Sequence, residues 1–288
     1  MSGPDGADLP LVILAAGRAK RYGGCKPLAP VGPHGEAVID LVASDALAAG
    51  FSTVVLVLGP STGPAIRYHV DRTWPGAVDV RFAVQPEPRG TVDAVLSASE
   101  YVGDAAYGVG NADDVYGTAG CALLARHLRA QRDANALVGY RLADAIIGFS
   151  PVTRGICRVD QNGRLLGVDE RRQVSALPEG GFAAGDGLEP ATLPGDARVS
   201  MNLWGFSAGF HKILHAAMDG ALDASEEKEI LLPEVVAQSL GTCSFDVLPA
   251  EGRCVGVTHP DDLALVQAEL NRQIASGERP AGLWPSLR

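Results

Sequence analysis

The chain has 288 residues, 47% of them hydrophobic, and a formal net charge of −10 at neutral pH. That length suits one large α/β domain with a full core, and the acidic balance argues against nucleic-acid binding, which needs a basic face. No run of eighteen apolar residues offers a membrane span, and the first six residues lack a basic segment leading into an apolar one, so a soluble, cytoplasmic protein without a membrane partner is expected.

Leu11 to Leu14 is a short apolar run of the kind a fully buried parallel strand shows. Small residues follow at Ala15, Ala16 and Gly17, and then the cations Arg18, Lys20, Arg21 and Lys26, with Gly23 and Gly24 among them. Small residues let a backbone pass close to a ligand, and a glycine-rich turn aims N–H groups at phosphate oxygens. With cations added, the loop reads as a triphosphate cradle after the first strand. It is neither a Walker loop nor a G-x-G-x-x-G dinucleotide fingerprint, which disfavours a dehydrogenase.

Helical spacing from Val38 to Ala49 ends at Gly50, and Thr53 to Leu58 is a second continuous apolar strand. A helix over 66–73 and a strand over 78–84 complete the βαβ rhythm of an open parallel sheet, whose ligands bind at the carboxyl ends of the strands. Further on, the pattern predicts a helix over 92–100, a strand at 107–109, a helix over 119–132 and a strand over 136–141. A hairpin over 155–170 turns at Asn162-Gly163. Residues 172–198, rich in Gly, Pro and acids, read as a flexible excursion or lid. A strand over 199–206, helices over 209–218 and 229–239, a strand over 243–247 and a helix over 260–275 follow, and the last dozen residues read as loosely attached. The cysteines (Cys25, Cys121, Cys157, Cys243, Cys254) show no paired spacing and read as reduced thiols. His211 and His215 stand four apart without the glutamate of a zinc-protease helix and read as a solvated pair.

Asp113 and Asp114 follow a short apolar strand in a loop ending Tyr116-Gly117. Adjacent carboxylates there suit Mg²⁺, which takes one or two carboxylates together with substrate phosphates; a turn or helix cap is the structural alternative.

Leu14-Ala-Ala-Gly17, Arg21 and Lys26-Pro-Leu28 resemble the N-terminal signature of the nucleotidyltransferases that act on sugar phosphates and related compounds, with Ala19 where the common form has a second glycine. The resemblance spans roughly residues 9–270, so 271–288 would be a tail. It implies a single three-layer α/β domain of the Rossmann-like, GT-A kind, with a mixed, mostly parallel sheet. No hexapeptide repeat of a C-terminal β-helix is visible, so an added acyltransferase activity is not expected.

The same resemblance distributes roles. Leu14, Ala15, Ala16, Gly17 and Arg18 would cradle the nucleotide phosphates. Gln85, Gly90 and Thr91 would recognise the base, Thr91 also being a possible helix cap. Arg21 and Lys26 would neutralise phosphate charge, and Asp113 would carry the cation. Asp114 and Tyr116 would line the substrate side of the acidic loop. Glu170 would contact sugar hydroxyls, with Arg171 in place of the family's lysine, or be an exposed hairpin acid. Asn202 and Trp204 would line the acceptor pocket, unless Trp204 is core. Val255 replaces the second metal-binding aspartate of some relatives, leaving Asp261 or Asp262 as a substitute ligand, or a plain helix start. The implied reaction transfers an NMP group from an NTP to a sugar 1-phosphate or similar phosphorylated small molecule, with Mg²⁺ as cofactor. A homo-oligomer is left open. A metal-dependent NDP-sugar glycosyltransferase and a non-catalytic nucleotide-binding domain are the alternatives, the cationic loop arguing against the first.

Overall fold

The structure, a computed structural model, describes residues 8–17, 24–148, 150–178, 180–223, 229–257 and 260–287. The expected cations Arg18 and Arg21 lie outside these residues. The first half runs β1 (Pro10–Ala15), α1 (Val38–Ala48), β2 (Thr53–Leu58), α2 (Gly63–Thr73), β3 (Val80–Val84), α3 (Thr91–Leu96), α4 (Ser99–Val102) and β4 (Tyr107–Asn111). It continues with β5 (Asp114–Val115), α5 (Gly117–Ala130) and β6 (Asn135–Arg141). The second half comprises β7 (Val152–Val159), β8 (Leu165–Ala176), β9 (Phe182–Ala183), β10 (Thr192–Leu193), β11 (Arg198–Phe206), α6 (Ala208–Asp223), α7 (Leu232–Ser239), β12 (Phe245–Pro249), β13 (Val255–Gly256) and α8 (Leu263–Ala275).

The main sheet runs β10-β9-β8-β7-β11-β4-β1-β2-β3, with β6 paired to both β11 and β12. β4, β1, β2 and β3 are mutually parallel, while β11 runs antiparallel to β4, β6 and β7. This is a mixed sheet with a parallel centre. Continuous apolar strands demand cover on both faces, and the burial shows it. Leu11, Ile13, Val54 and Leu56 pack with residues of α1, α2, α5 and α8. Val12, Val55 and Val57 point the other way, into α3, α6 and α7. Helices therefore form a layer on each side of the sheet.

Most element boundaries fall within a few residues of those expected. The stretch over 92–100 is two short helices instead of one, because the chain breaks at Ser97-Ala98 between α3 and α4. The helix expected over 229–239 starts only at Leu232, where Pro233 occupies its first turn.

Two segments are more built than their composition suggests. Residues 172–198 extend the sheet: β8 continues to Ala176 and pairs with β9, which pairs with β10. A buried Arg171 fastens this extension, with Nε and Nη2 on the two oxygens of Asp186 (2.8 and 3.0 Å) and further bonds to the carbonyls of Leu188 and Pro190. The residues after α8 dock on α1. Arg279 makes a two-pronged pair with buried Asp45, Trp284 N–H donates to Ser44 Oγ at 2.7 Å, and the Trp74 and Trp284 rings lie 5.1 Å apart. No helix among the described residues is long and apolar enough to cross a membrane, and all five cysteines are free.

Candidate active site

β1, β2, β3 and β4 end together, at Ala15, Leu58, Val84 and Asn111. The peptide groups around Leu14 and Ala15 are tied into this rim: Ala112 N–H donates to Leu14 O, and Thr62 Oγ to Ala15 O at 2.8 Å. Ala16 and exposed Gly17 lead away from it towards the cationic loop. Lys26 opens a 3₁₀ turn (Lys26–Leu28) on the far side of that loop, and its Nζ lies 2.5 Å from Asp113 Oδ2.

A cleft of about 310 Å³ opens at this pair. It brings together five of the residues expected at the site, namely Lys26, Asp113, Asp114, Glu170 and Asn202. Asn111, Thr153, Arg154 and Ser200 add hydrogen-bonding groups to its wall. A hairpin read as starting at Gly155 leaves Thr153 and Arg154 outside; the strand actually begins at Val152. Arg154 is held by Ala145 O, through Nε at 3.0 Å and Nη2 at 2.7 Å, and burial lowers its pKa. An arginine on a strand followed by glycine was the available signal, since neither residue serves strand packing.

The two aspartates differ in environment. Asp113 is partly exposed and paired with Lys26. Asp114 is half-buried in the cleft wall, accepts from Asn111 Nδ2 at 3.0 Å, and starts the short ribbon in which it pairs with Gly256. Burial, and then the neighbouring Asp113 charge, pushes its carboxyl up to about 6, against the opposing effects of Asn111, Arg154 and Lys26. Gly256 is required at that position because a Cβ would run into Asp114 Oδ1.

Asn202 reaches the cleft through an irregularity of β11, whose register to β6 shifts between Ser200 and Trp204. Its φ is +59°, an uncommon conformation that asparagine tolerates better than most residues. Trp204, expected at the acceptor, is instead fully buried between Phe206 and Phe245, because its strand alternation carries it to the helix-covered face. Its indole N–H donates to Asn202 Oδ1 at 3.3 Å, which links it to the site from behind. Tyr116 is likewise a strut and does not line the cleft. Its buried hydroxyl accepts from Asn111 N–H at 2.7 Å and donates to Met201 O at 3.0 Å, bridging β4 and β11. Glu170 stays exposed in the cleft wall and pairs with Arg172 at 2.9 Å. Arg171 points to the opposite face, as strand alternation requires, and so does not replace a substrate-facing lysine.

Gln85 follows β3 and is buried, with its amide turned onto Gly90 and Asp93. Gly90 has φ +103°, and the main chain of Ile230 packs where a side chain would stand. Thr91 Oγ accepts from Leu232 N–H at 2.8 Å, so this hydroxyl anchors the start of α7. Asp262 belongs to the 3₁₀ turn before α8, where it is buried and outside the cleft lining. His211 is no solvated residue: its ring nitrogens meet Tyr107 Oη at 2.7 Å and Ser99 Oγ at 3.0 Å, and only His215 is exposed.

Among the described residues no group of three or more His, Cys, Asp or Glu side chains could hold a metal by itself. Asp113 and Asp114 nevertheless offer hard oxygens at the cleft, a donor set suited to a divalent cation whose remaining ligands are phosphate and water.

The parallel-centred sheet, with helices on both faces, thus carries a lysine–aspartate pair at its strand ends. In sequence, residues 11–147 match the MobA-like NTP transferase domain. The bifunctional protein GlmU of Sorangium cellulosum is 27% identical over 285 residues, covering 96% of this chain and 54% of that protein. The chain thus spans about half the length of this curated relative. The structure of a UDP-glucose pyrophosphorylase from Acinetobacter baumanii superposes with a TM-score of 0.65, covering 98% of this chain and 97% of that one. At 16% identity that likeness is one of fold.

Proposed function

We propose that the protein transfers an NMP group from an NTP to a sugar 1-phosphate or a similar phosphorylated small molecule, releasing pyrophosphate. The observation that carries this reading is the Lys26–Asp113 pair at the mouth of a polar cleft also lined by Asn111, Glu170 and Asn202. The acceptor phosphate oxygen attacks the α-phosphorus, the bond from that phosphorus to the bridging oxygen of the β-phosphate breaks, and the electron pair leaves on pyrophosphate. Both reactants are anions, so positioning and charge neutralisation supply most of the acceleration.

Lys26 places an ammonium where acceptor and α-phosphate meet. Asn111, Ser200, Glu170 and Asn202 offer hydrogen-bond partners for acceptor hydroxyls. Asp113, with Asp114 behind it, would hold Mg²⁺, whose contribution when bound is to neutralise charge on the α-phosphate. Release of Asp113 from Lys26 frees the carboxylate for the cation and the ammonium for phosphate. Arg21 and Arg18 would meet the β,γ-phosphates. The free thiols suit a reducing, cytoplasmic setting.

The test is pyrophosphate release from ATP, CTP, GTP, UTP and dTTP with Mg²⁺ and a pool of sugar 1-phosphates. Lys26→Ala and Asp113→Ala should keep the wild-type circular dichroism and lose on the order of a hundredfold or more in turnover. Release that ignores the acceptor pool, or a fully active Asp113→Ala, would overturn the assignment.

A further inference from the structure

Two strands of the cleft wall carry an irregularity. β11 shifts register around Asn202, and β7 shifts against β8 between Val152 and Arg154. Bulges of this kind re-aim a side chain and gather beside active sites. Thr153, Arg154 and Gly155 all line the cleft. The Arg154 guanidinium is tied to main-chain carbonyls: Nε and Nη2 donate to Ala145 O, and Nη1 donates to Thr153 O at 2.9 Å. A guanidinium has five N–H donors, so two are left without an acceptor among the described residues. Arg154 also forms no ion pair among the described residues. Its neighbours are matched: Lys26 by Asp113, Arg171 by Asp186 on the opposite face, and Arg172 by Glu170. Burial lowers the Arg154 pKa, and Asp114 opposes this without touching it. A half-buried charge with no counter-ion in contact is costly unless a ligand supplies one.

Its place along the sheet says which ligand. Only β11 separates β7 from β4, the strand that leads to Asp113, whereas β11 and β4 both separate β7 from β1. At about 4.8 Å per strand, the Arg154 backbone stands roughly 10 Å from β4 and roughly 14 Å from β1 and its phosphate loop. β11, with Ser200 and Asn202, lies between Arg154 and the Lys26–Asp113 pair. That is the acceptor side of the cleft. We propose that Arg154 is a specificity-determining residue that binds a second anionic group on the acceptor, besides the phosphate that is coupled. The favoured acceptor is then a sugar phosphate that also carries a carboxylate or another phosphate. Either group gives the guanidinium a charge-assisted partner for its remaining N–H groups. The inference rests on the proposed nucleotidyl transfer and on the acceptor lying along β11.

The pyrophosphate-release assay, run with matched hexose 1-phosphates, hexuronic acid 1-phosphates and hexose 1,6-bisphosphates, tests it. Wild type should show an acceptor KM about tenfold lower, or better, for one charged set than for the neutral set. Which charged set gains separates carboxylate from phosphate. Arg154→Met should raise the KM of the charged acceptors about tenfold, while moving the NTP and neutral-acceptor KM values much less. Where Arg154→Met fails to fold, Arg154→Lys decides, because it keeps the charge and loses the planar fork. A margin reduced or lost in Arg154→Lys supports the proposal, and an unchanged margin overturns it. Equal KM values for neutral and charged acceptors in wild type would overturn it too. So would a rise in the NTP KM of Arg154→Met as large as that for the charged acceptors. Calorimetry of the same acceptors with the full chain separates the two readings. Charged acceptors that bind tighter than neutral ones through Arg154, without pyrophosphate release, would sink the transferase and leave this inference standing. Release that is blind to acceptor charge would do the reverse, and a chain that neither binds nor turns over any of them would sink both.

Discussion

At the residue scale, the chemistry-bearing positions were legible where a residue type has one plausible use in its context. Lys26 after a small-residue turn and Asp113-Asp114 at a strand end are costly unless matched, and the structure pairs the first two at 2.5 Å. Trp204, for which the core is one of two expected places, and Tyr116 are hard to place from sequence because a large aromatic carries both an apolar body and a polar tip. Sequence spacing does not say which of these faces the cleft, whereas burial settles both as supports behind it. Gly256 carries no functional group of its own, yet it is the position against which Asp114 closes. Gly256→Ala would push its Cβ into Asp114 Oδ1 and the Asp113 carbonyl. The expected outcome is turnover reduced by at least tenfold, with a loss of stability in the 1–3 kcal/mol range that overpacking of a tight site brings. Steady-state kinetics beside a urea melt checks it, and a fully active variant would show that the ribbon yields without moving the acid.

At the element scale, regular strands and helices were readable from apolar runs and spacing, and the irregular extension over 172–198 was not. Its glycines and acids look like a solvated loop, but what orders it is one buried guanidinium, and no local pattern announces that Arg171 turns inward while Glu170 turns out. Hydrogen bonds from the Arg171 guanidinium and then from Arg172 N–H hold the Asp186 carboxyl below the ordinary aspartate value of 3.8. A depressed folded-state pKa means stability that is present above the unfolded value and lost as the pH falls through the folded one. Residues 172–198 should therefore resist protease at neutral pH and open on acidification below about 3.8, before the parallel strands of the sheet do. Arg171→Met should show the same opening already at pH 7. Hydrogen exchange resolved by peptide measures both. Equal protection of this segment and of β1 in the variant would mean that sheet pairing alone holds it.

At the scale of the whole molecule, the two-sided core was implied by β1 and β2, whose register positions are apolar except Thr53 at the start of β2, and the fold class follows from that. The ends of the chain were harder to read. The closing residues show no periodicity, so they suggest a loose tail, yet Arg279 reaches across more than two hundred positions to Asp45 inside α1. That carboxylate also accepts from Thr118 at the start of α5, so one buried group ties the tail, α1 and the helix that follows the acidic loop. Burial raises the Asp45 pKa, an effect that Arg279 opposes. Arg279→Met leaves the carboxylate buried without its partner, at a cost of about 3–5 kcal/mol near neutral pH. The sign of the pH dependence follows. Without Arg279 the folded-state pKa of Asp45 rises further, and protonation then relieves the unpaired charge. The deficit of Arg279→Met relative to wild type should shrink as the pH is lowered from 8 towards 5, two values to be compared in chemical melts. Asp45→Asn combined with Arg279→Met should recover much of the lost stability at pH 8, because an amide needs no counter-charge. A deficit that stays constant with pH and survives the double substitution would place the tail's contribution in the Trp74–Trp284 contact instead of the ion pair.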